Sequence, residues 1–269
     1  MNRSRAVLAF VALLLLAALL VAFLPARWVK PQLEARLHGL RLEGVSGTLW
    51  QGHADKLLAV HGDDLGRLDW QLSRRALLGD TQLGLALVGP AGHFSGQMRK
   101  LDAQRVEWSQ LHVESDLVAL TERFLPQGTR LRGTLAIDGG RAVLQGRWPV
   151  ELDAQAHWNG AQLLGQDRTL DFGNLQLQAS GEGGVVQGSL QDDGNGPLQL
   201  AGQFDLSPLG WHYDIKAKPR QPDPALSQWL AGFGPMGADG TMHLKRRGGI
   251  AAGSSKERPS KEHPSKEHP

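Results

Sequence analysis

The chain has 269 residues, with 29 Lys and Arg against 27 Asp and Glu, a formal net charge of +2 and no cysteine. Basic and acidic residues are interspersed, which argues against nucleic-acid binding, and without cysteine the chain has no disulfide framework. Glycine is enriched to 34 residues, nearly twice its usual share of about 7%, and this favours a strongly twisted, β-rich structure.

The first predicted element is an uninterrupted apolar segment at residues 6–24, preceded by Arg3 and Arg5. At about 1.5 Å per residue, it nearly spans a bilayer core of about 30 Å, so we predict a transmembrane helix. Residues 1–5 would then be cytoplasmic, although Lys and Arg flank both ends. A cleaved signal is the alternative, but the segment exceeds the roughly 7–15 residues usual for signals and Pro25 would lie inside the cleavage site.

The next element is a juxtamembrane helix at residues 25–40. Trp28, Leu33, Leu37 and Leu40 recur there at steps of three to five residues, which is close to a helical spacing. Tryptophan is common at the level of lipid headgroups, so we expect this helix to continue the anchor along the membrane interface.

A tryptophan framed by glycines follows the juxtamembrane helix. Its residues are Gly47, Thr48, Leu49, Trp50, Gln51, Gly52, His53 and Ala54. The alternation of side chains predicts a strand at Gly47–Trp50, and the glycines permit a bulge or the close approach of another backbone. We interpret Trp50 as a core anchor, with a partner-contact hot spot as the alternative.

Residues 41–247 carry short alternating apolar runs separated by Gly, Asn or Asp. This pattern predicts a mostly β fold, a curved and largely antiparallel sheet that is sandwich-like or groove-like. Two further short helices are expected at 116–125 and 224–233, the second with Pro224 at its first position. A core filled by the sheet's own side chains and an apolar groove that holds lipid are both open at this stage.

No catalytic residue, cofactor site or metal site is predicted. The histidines are scattered, and Ser46 does not lie in a Gly-x-Ser-x-Gly elbow. Asp192–Gly196 lacks the ligand pattern of a calcium loop and predicts a hairpin turn instead. Residues 248–269 contain a repeated Ser-Lys-Glu-(Arg/His)-Pro unit without apolar residues, so we expect a disordered tail.

Several motifs occur in a defined order after the apolar segment. They are the strand-like Gly47–Ala54 segment, Leu65–Trp70 with its second tryptophan Trp70, the triplet Leu77, Leu78 and Gly79, and the later Gly146, Arg147, Trp148 and Pro149. Together they resemble the N protein family of the type II (general) secretion pathway. The triplet is one residue shorter than the Leu-Leu-x-Gly of that family and is the weakest match.

This resemblance implies a single-pass inner-membrane protein of Gram-negative bacteria with its β domain in the periplasm. It implies an accessory role without catalysis in a machine that exports folded proteins through an outer-membrane secretin. The partners it implies are the inner-membrane C subunit and the secretin. The family also resembles periplasmic proteins with lipid-holding β-grooves, so lipid binding is the alternative function.

Overall fold

The computed structural model describes residues 24–36, 39–60, 62–90, 92–118, 130–165 and 168–249. Most of the apolar segment at 6–24, residues 119–125 of one predicted helix and residues 250–269 of the tail therefore lie outside the described residues. Within the described ranges, no helix is both long enough and apolar enough to cross a membrane.

Fourteen strands in the described ranges form one sheet. They are β1 (Arg41–Glu43), β2 (Ser46–Gly47), β3 (Gln51–Leu58), β4 (Asp64–Leu72), β5 (Gln82–Gly89), β6 (Gly92–Lys100), β7 (Arg105–Asp116), β8 (Arg130–Gln145), β9 (Trp148–Leu164), β10 (Thr169–Glu182), β11 (Val185–Asp192), β12 (Leu198–Ser207), β13 (Gly210–Pro219) and β14 (Met242–Gly249). Strands β1 and β2 pair with β3, and from β3 onward each strand pairs antiparallel with its successor.

Three helical elements accompany the sheet in these ranges: α1 (Ala26–Arg36), a 3-10 helix (Arg74–Leu78) and α2 (Pro224–Ala231). The predicted start of α2 is confirmed, because the Asp223 carboxylate caps it by accepting from the N–H groups of Ala225 and Leu226 at 2.9 and 3.0 Å. Its buried Leu226 and Leu230 pack against the C-terminal strands.

The expectation of a mostly β, antiparallel fold is confirmed, but the sandwich-like alternative is wrong. The strands form one open meander, whereas a sandwich needs a second sheet packed on the first. Register shifts interrupt the ladders between Ala54 and Leu57, Ser95 and Gln97, and at further positions in β8 and β10. Such bulges bend and twist the strands in which they occur.

One face of the sheet carries an apolar row that crosses every strand from β3 to β14. Each member is paired directly with the next: Ala54, Leu68, Leu87, Phe94, Val113, Ile137, Ala156, Leu177, Leu190, Gly202, Ile215 and Leu244. At about 4.8 Å per strand the row is roughly 50 Å long. Its larger side chains are half-buried rather than buried.

The described residues contain two clusters of buried side chains. The N-terminal cluster contains Leu42, Ala54 and Leu57. The C-terminal cluster is larger and lies beneath α2, with Ala161, Leu170, Phe172, Leu198, Leu200, Ala217, Leu226, Leu230 and Met242. The N-terminal cluster therefore joins β1 to β3, and the C-terminal cluster joins α2 to β9, β10 and β12–β14.

Candidate partner-contact site at one end of the sheet

A tight hairpin joins β2 to β3 at the glycine-framed tryptophan. Gly47 pairs with Gly52, and the Thr48 N–H donates to the Gln51 carbonyl oxygen at 2.8 Å, which leaves Leu49 and Trp50 at the tip. Gly47 has a φ of +84°, and a Cβ there would lie 2.6 Å from the Gln51 oxygen. The position therefore accepts only glycine without strain.

The predicted strand over Gly47–Trp50 is wrong in its second half, because the chain reverses there. Strand β2 ends at Gly47, which has a left-handed backbone, and the chain reverses over Leu49 and Trp50, beyond the hydrogen bond between Thr48 and Gln51. Trp50 is nevertheless 6% exposed, and its carbonyl oxygen accepts from the Leu72 N–H at 2.7 Å. The burial supports the interpretation of Trp50 as an anchor.

Trp70, on β4, covers this hairpin. Its Nε1–H donates to the Thr48 carbonyl oxygen at 3.3 Å, and its ring passes over Gly52. A Cβ at Gly52 would lie 2.6 Å from the Trp70 Cζ2 atom. Next in β3, Ala54 is fully buried in the N-terminal cluster beside Trp70. The structure thus brings Gly47, Thr48, Gly52, Ala54 and Trp70 into one packed unit.

The hairpin tip also holds the residues that follow the apolar segment. The Leu49 N–H donates to the Leu24 carbonyl oxygen at 2.9 Å, and Pro25 forms an antiparallel bridge with Thr48. Helix α1 begins at the buried Ala26 and contacts β1 and β2. Leu24, the last residue of the predicted apolar segment, and Pro25 are therefore fixed to the hairpin at the glycine-framed tryptophan.

The triplet of Leu77, Leu78 and Gly79 lies in and after the 3-10 helix between β4 and β5. The Ser73 hydroxyl accepts from the Arg75 N–H at 3.2 Å at its start, and Gly79 ends it with a φ of +92°. Leu77 is 63% exposed and Leu78 is 89% exposed. Both leucines are thus held in a defined turn with their side chains in solvent.

The segment Gly146–Pro149 forms the turn from β8 into β9. The Trp148 Nε1–H donates to the Gly184 carbonyl oxygen at 2.8 Å, which ties this turn to the next one. Pro149 is the second residue of β9 and pairs with Leu144. Six strand spacings separate β9 from β3, about 29 Å, so Trp148 does not join the unit around Trp70.

All these motifs lie at the same end of the sheet, which we call the motif end. The antiparallel meander places there the hairpin tip and the turns after β4, β6, β8, β10 and β12. The turns after β3, β5, β9, β11 and β13 lie at the opposite end. The motifs therefore share an edge of the molecule although they do not form one pocket.

The structure contains an ion-pair network that was not predicted. It lies on the polar face of the sheet, opposite the apolar row. The Glu107 carboxylate accepts from Arg99 Nη2 at 2.8 Å and from Arg141 Nε at 2.9 Å, and Arg141 also reaches Glu151 at 3.1 Å. The hydrogen bond from Arg99 and then that from Arg141 lower the pKa of Glu107. In the sequence, only the opposite charges of Arg99 and Glu107 on either side of a short turn indicate such an ion pair.

Glu107 and Arg99 line a cleft of about 760 Å³ that extends to Trp50 and Gln71. A carboxylate that is ionised and held by two guanidinium groups is a poor proton acceptor, so it is unsuited to general-base chemistry. Among the described residues, no group of three or more His, Asp or Glu side chains could hold a metal ion. The cleft is a polar surface without an assembled catalytic group among the described residues.

Residues 38–245 match the sequence family described as "Type II secretion system (T2SS), protein N". The chain is 25% identical over 243 residues to the "Type II secretion system protein N" of Aeromonas hydrophila, an alignment covering 86% of this chain and 93% of that protein. No solved structure matches the chain. The family match includes every motif residue described above.

Proposed function

Because the chain belongs to the type II secretion system protein N family, we propose that it is a non-enzymatic accessory component of this secretion system. In this proposal it helps to assemble or stabilise the machinery that exports folded proteins across the outer membrane. Its partners are the inner-membrane C subunit and the outer-membrane secretin.

The proposed topology is a single pass through the inner membrane. Residues 1–5 lie in the cytoplasm, 6–24 cross the membrane and 25–40 form the juxtamembrane segment. The periplasmic domain begins at residue 41 and ends at Gly249, two residues beyond the predicted boundary at 247, because β14 extends to Gly249, and the tail follows at 250–269. The apolar length of residues 6–24 supports this arrangement. The Leu49–Leu24 hydrogen bond would then hold the domain close to the membrane surface.

One observation supports the accessory role: two motif tryptophans donate hydrogen bonds to the protein's own backbone. The indole N–H of Trp70 binds the Thr48 carbonyl, and that of Trp148 binds the Gly184 carbonyl. A motif that fixes hairpins and a membrane-proximal strand is what a scaffold requires. Among the motif residues, Leu77 and Leu78 are the large apolar side chains that are exposed enough to contact another molecule.

Affinity purification of the full chain from detergent-solubilised membranes tests the partners. We expect the C subunit and the secretin to co-purify with the tagged wild-type chain. An unrelated single-pass inner-membrane protein with the same tag is the control. Recovery of neither partner above that control would contradict the proposed partners.

Lipid binding by the sheet is the second candidate function, and the apolar row favours it. The row is continuous over roughly 50 Å, and its side chains are half-buried within a single open sheet. Acyl chains would bury this surface, as the hydrophobic effect favours.

Photo-crosslinking in cells that contain radiolabelled phospholipid tests this second function. A photoreactive phenylalanine at Phe94 would lie in the apolar row, whereas one at Ser95 would point to the polar face. We expect lipid adducts with Phe94 and not with Ser95. Equal labelling at both positions would contradict binding along the row.

A further inference from the structure

Exposed apolar side chains are concentrated at the motif end of the sheet. In the described ranges, most of the large exposed ones lie in or beside its turns, among them Leu77, Leu78, Leu101, Leu209 and Trp211. They come from three different turns that are far apart in the sequence, so it is the fold that places them on the same edge. The turns that carry them lie between two and eight strand spacings apart along one edge. Large exposed apolar side chains grouped on one edge of a folded domain favour a contact with a membrane or a protein.

Basic side chains accompany these residues. Arg74 and Arg75 precede the two leucines in the 3-10 helix, and Arg147 lies two turns further along the same edge. None of the three forms an ion pair with another described residue. Two acidic residues lie in these turns, and Asp102 is already paired with Arg105 at 2.6 Å, while Asp80 accepts from Gln82 at 3.1 Å.

The opposite end of the sheet has the reverse charge. Its connections carry Asp63, Asp193, Asp223 and Asp239 against Arg168 and Arg220 among the described residues. A negatively charged surface would therefore attract the motif end and repel the other.

The motif end is also where the predicted apolar segment joins the domain. The Leu24 carbonyl is bound by Leu49, and the adjoining Trp50 carbonyl is bound by Leu72, which directly precedes Ser73 and the 3-10 helix. The 3-10 helix therefore lies beside the point at which the chain would leave the bilayer.

We propose that the motif end is a second membrane-contact site that binds an anionic phospholipid surface. Leu77 and Leu78 enter the boundary between headgroups and acyl chains, and Arg74 and Arg75 bind lipid phosphates, a combination typical of interfacial membrane binding. The proposal rests on the proposed anchoring of residues 6–24, because that anchor holds the end at the membrane. The sheet then stands on its motif end with its acidic end toward the periplasm.

Single-cysteine labelling of the full chain tests this contact, because the natural chain has no cysteine. An environment-sensitive fluorophore is attached at Leu78→Cys, or at Val60→Cys as the matched control, which is 66% exposed at the opposite end. The chains are reconstituted in vesicles of phosphatidylglycerol and phosphatidylcholine that contain a lipid with a quencher near its headgroup. Thermal unfolding of each variant verifies that it is folded.

At Leu78 we expect a blue-shifted emission and quenching at least about twofold stronger than at Val60, because the label enters the interface. Replacing both arginines, Arg74→Glu with Arg75→Glu, should reduce the quenching toward the Val60 level. Equal quenching in vesicles of phosphatidylcholine alone would overturn the role of the arginines. If the emission of the label at Leu78 remains as aqueous as that at Val60, the membrane contact is overturned. An emission that shifts to the blue only after the C subunit is added would also overturn it, because the contact would then be with protein.

Vesicle flotation separates this proposal from the anchor on which it rests. A wild-type chain that does not float with vesicles would overturn both the anchor and the contact. A chain that floats while its Leu78 label stays aqueous would overturn the contact and leave the anchor intact.

Discussion

The indole of Trp70 donates to the carbonyl oxygen of Thr48 at 3.3 Å, across the boundary between β4 and the β2–β3 hairpin. This bond joins two tryptophan-containing motifs that lie about twenty residues apart in the sequence. It also explains why a glycine lies between them, because the Trp70 ring packs directly over Gly52, where a Cβ would clash with it. The ordered motifs are therefore parts of one folded unit.

Replacing Gly52 with Ala should destabilise the domain. Its Cβ would lie 2.6 Å from Trp70 and 2.5 Å from the Ser46 carbonyl oxygen, so either the ring or the hairpin must move. Overpacking of this kind costs about 1–3 kcal/mol in the free energy of unfolding, measurable by urea denaturation. Gly84→Ala on β5 is the control, because its nearest neighbours would lie 3.8 Å away. Equal midpoints for both variants would contradict the packing of Trp70 on Gly52.

Replacing Trp50 with Ala should lower the free energy of unfolding by about 3–5 kcal/mol, the usual cost of removing a buried indole. The residue is 6% exposed and lies at the tip that holds Leu24. Thermal unfolding of the purified full chain measures the effect. An unchanged melting temperature together with lost partner binding would show that Trp50 is a contact residue rather than an anchor.

The Glu107 network should make stability depend on pH in the acidic range. Hydrogen bonds from Arg99 and Arg141 lower the folded-state pKa of Glu107, so its stabilising effect is complete above the unfolded pKa of about 4.3. The effect is lost as the pH falls through the lower, folded-state pKa. Glu107→Gln should cost about 1 kcal/mol at pH 7 and reduce the loss of stability between pH 5 and pH 3. Urea denaturation at pH 7, 5 and 3 measures this. If the free energy of unfolding of the wild type and of the variant changes in parallel with pH, the prediction is contradicted.

Local patterns in the sequence were sufficient to predict several parts of the fold. The alternation of Leu83, Leu85 and Leu87 correctly predicts a strand with one apolar face, because side chains of a strand alternate between faces. Asp223 followed by Pro224 marks the start of α2, and Asp192–Gly196 forms the predicted turn. The resemblance to the secretion family is likewise confirmed by a match over residues 38–245.

Features that depend on register could not be predicted in this way. Arg141 lies 34 residues from Glu107 in the sequence, and only the pairing of β7 with β8 brings them together. The turn at Thr48–Trp50 resembled a strand because side-chain alternation does not reveal the left-handed φ of Gly47. The bond between Leu24 and Leu49 likewise depends on the path of the whole N-terminal region.

Release of exported proteins into the medium shows whether this chain serves the type II secretion system. A strain lacking this gene should retain its exoproteins in the periplasm, and the wild-type chain or the Gly84→Ala variant should restore release. The Gly52→Ala variant should restore it poorly at the same expression level, because the hairpin that holds Leu24 is distorted. Undiminished release from the deletion strain would contradict the assignment of this chain to the function of the secretion machinery.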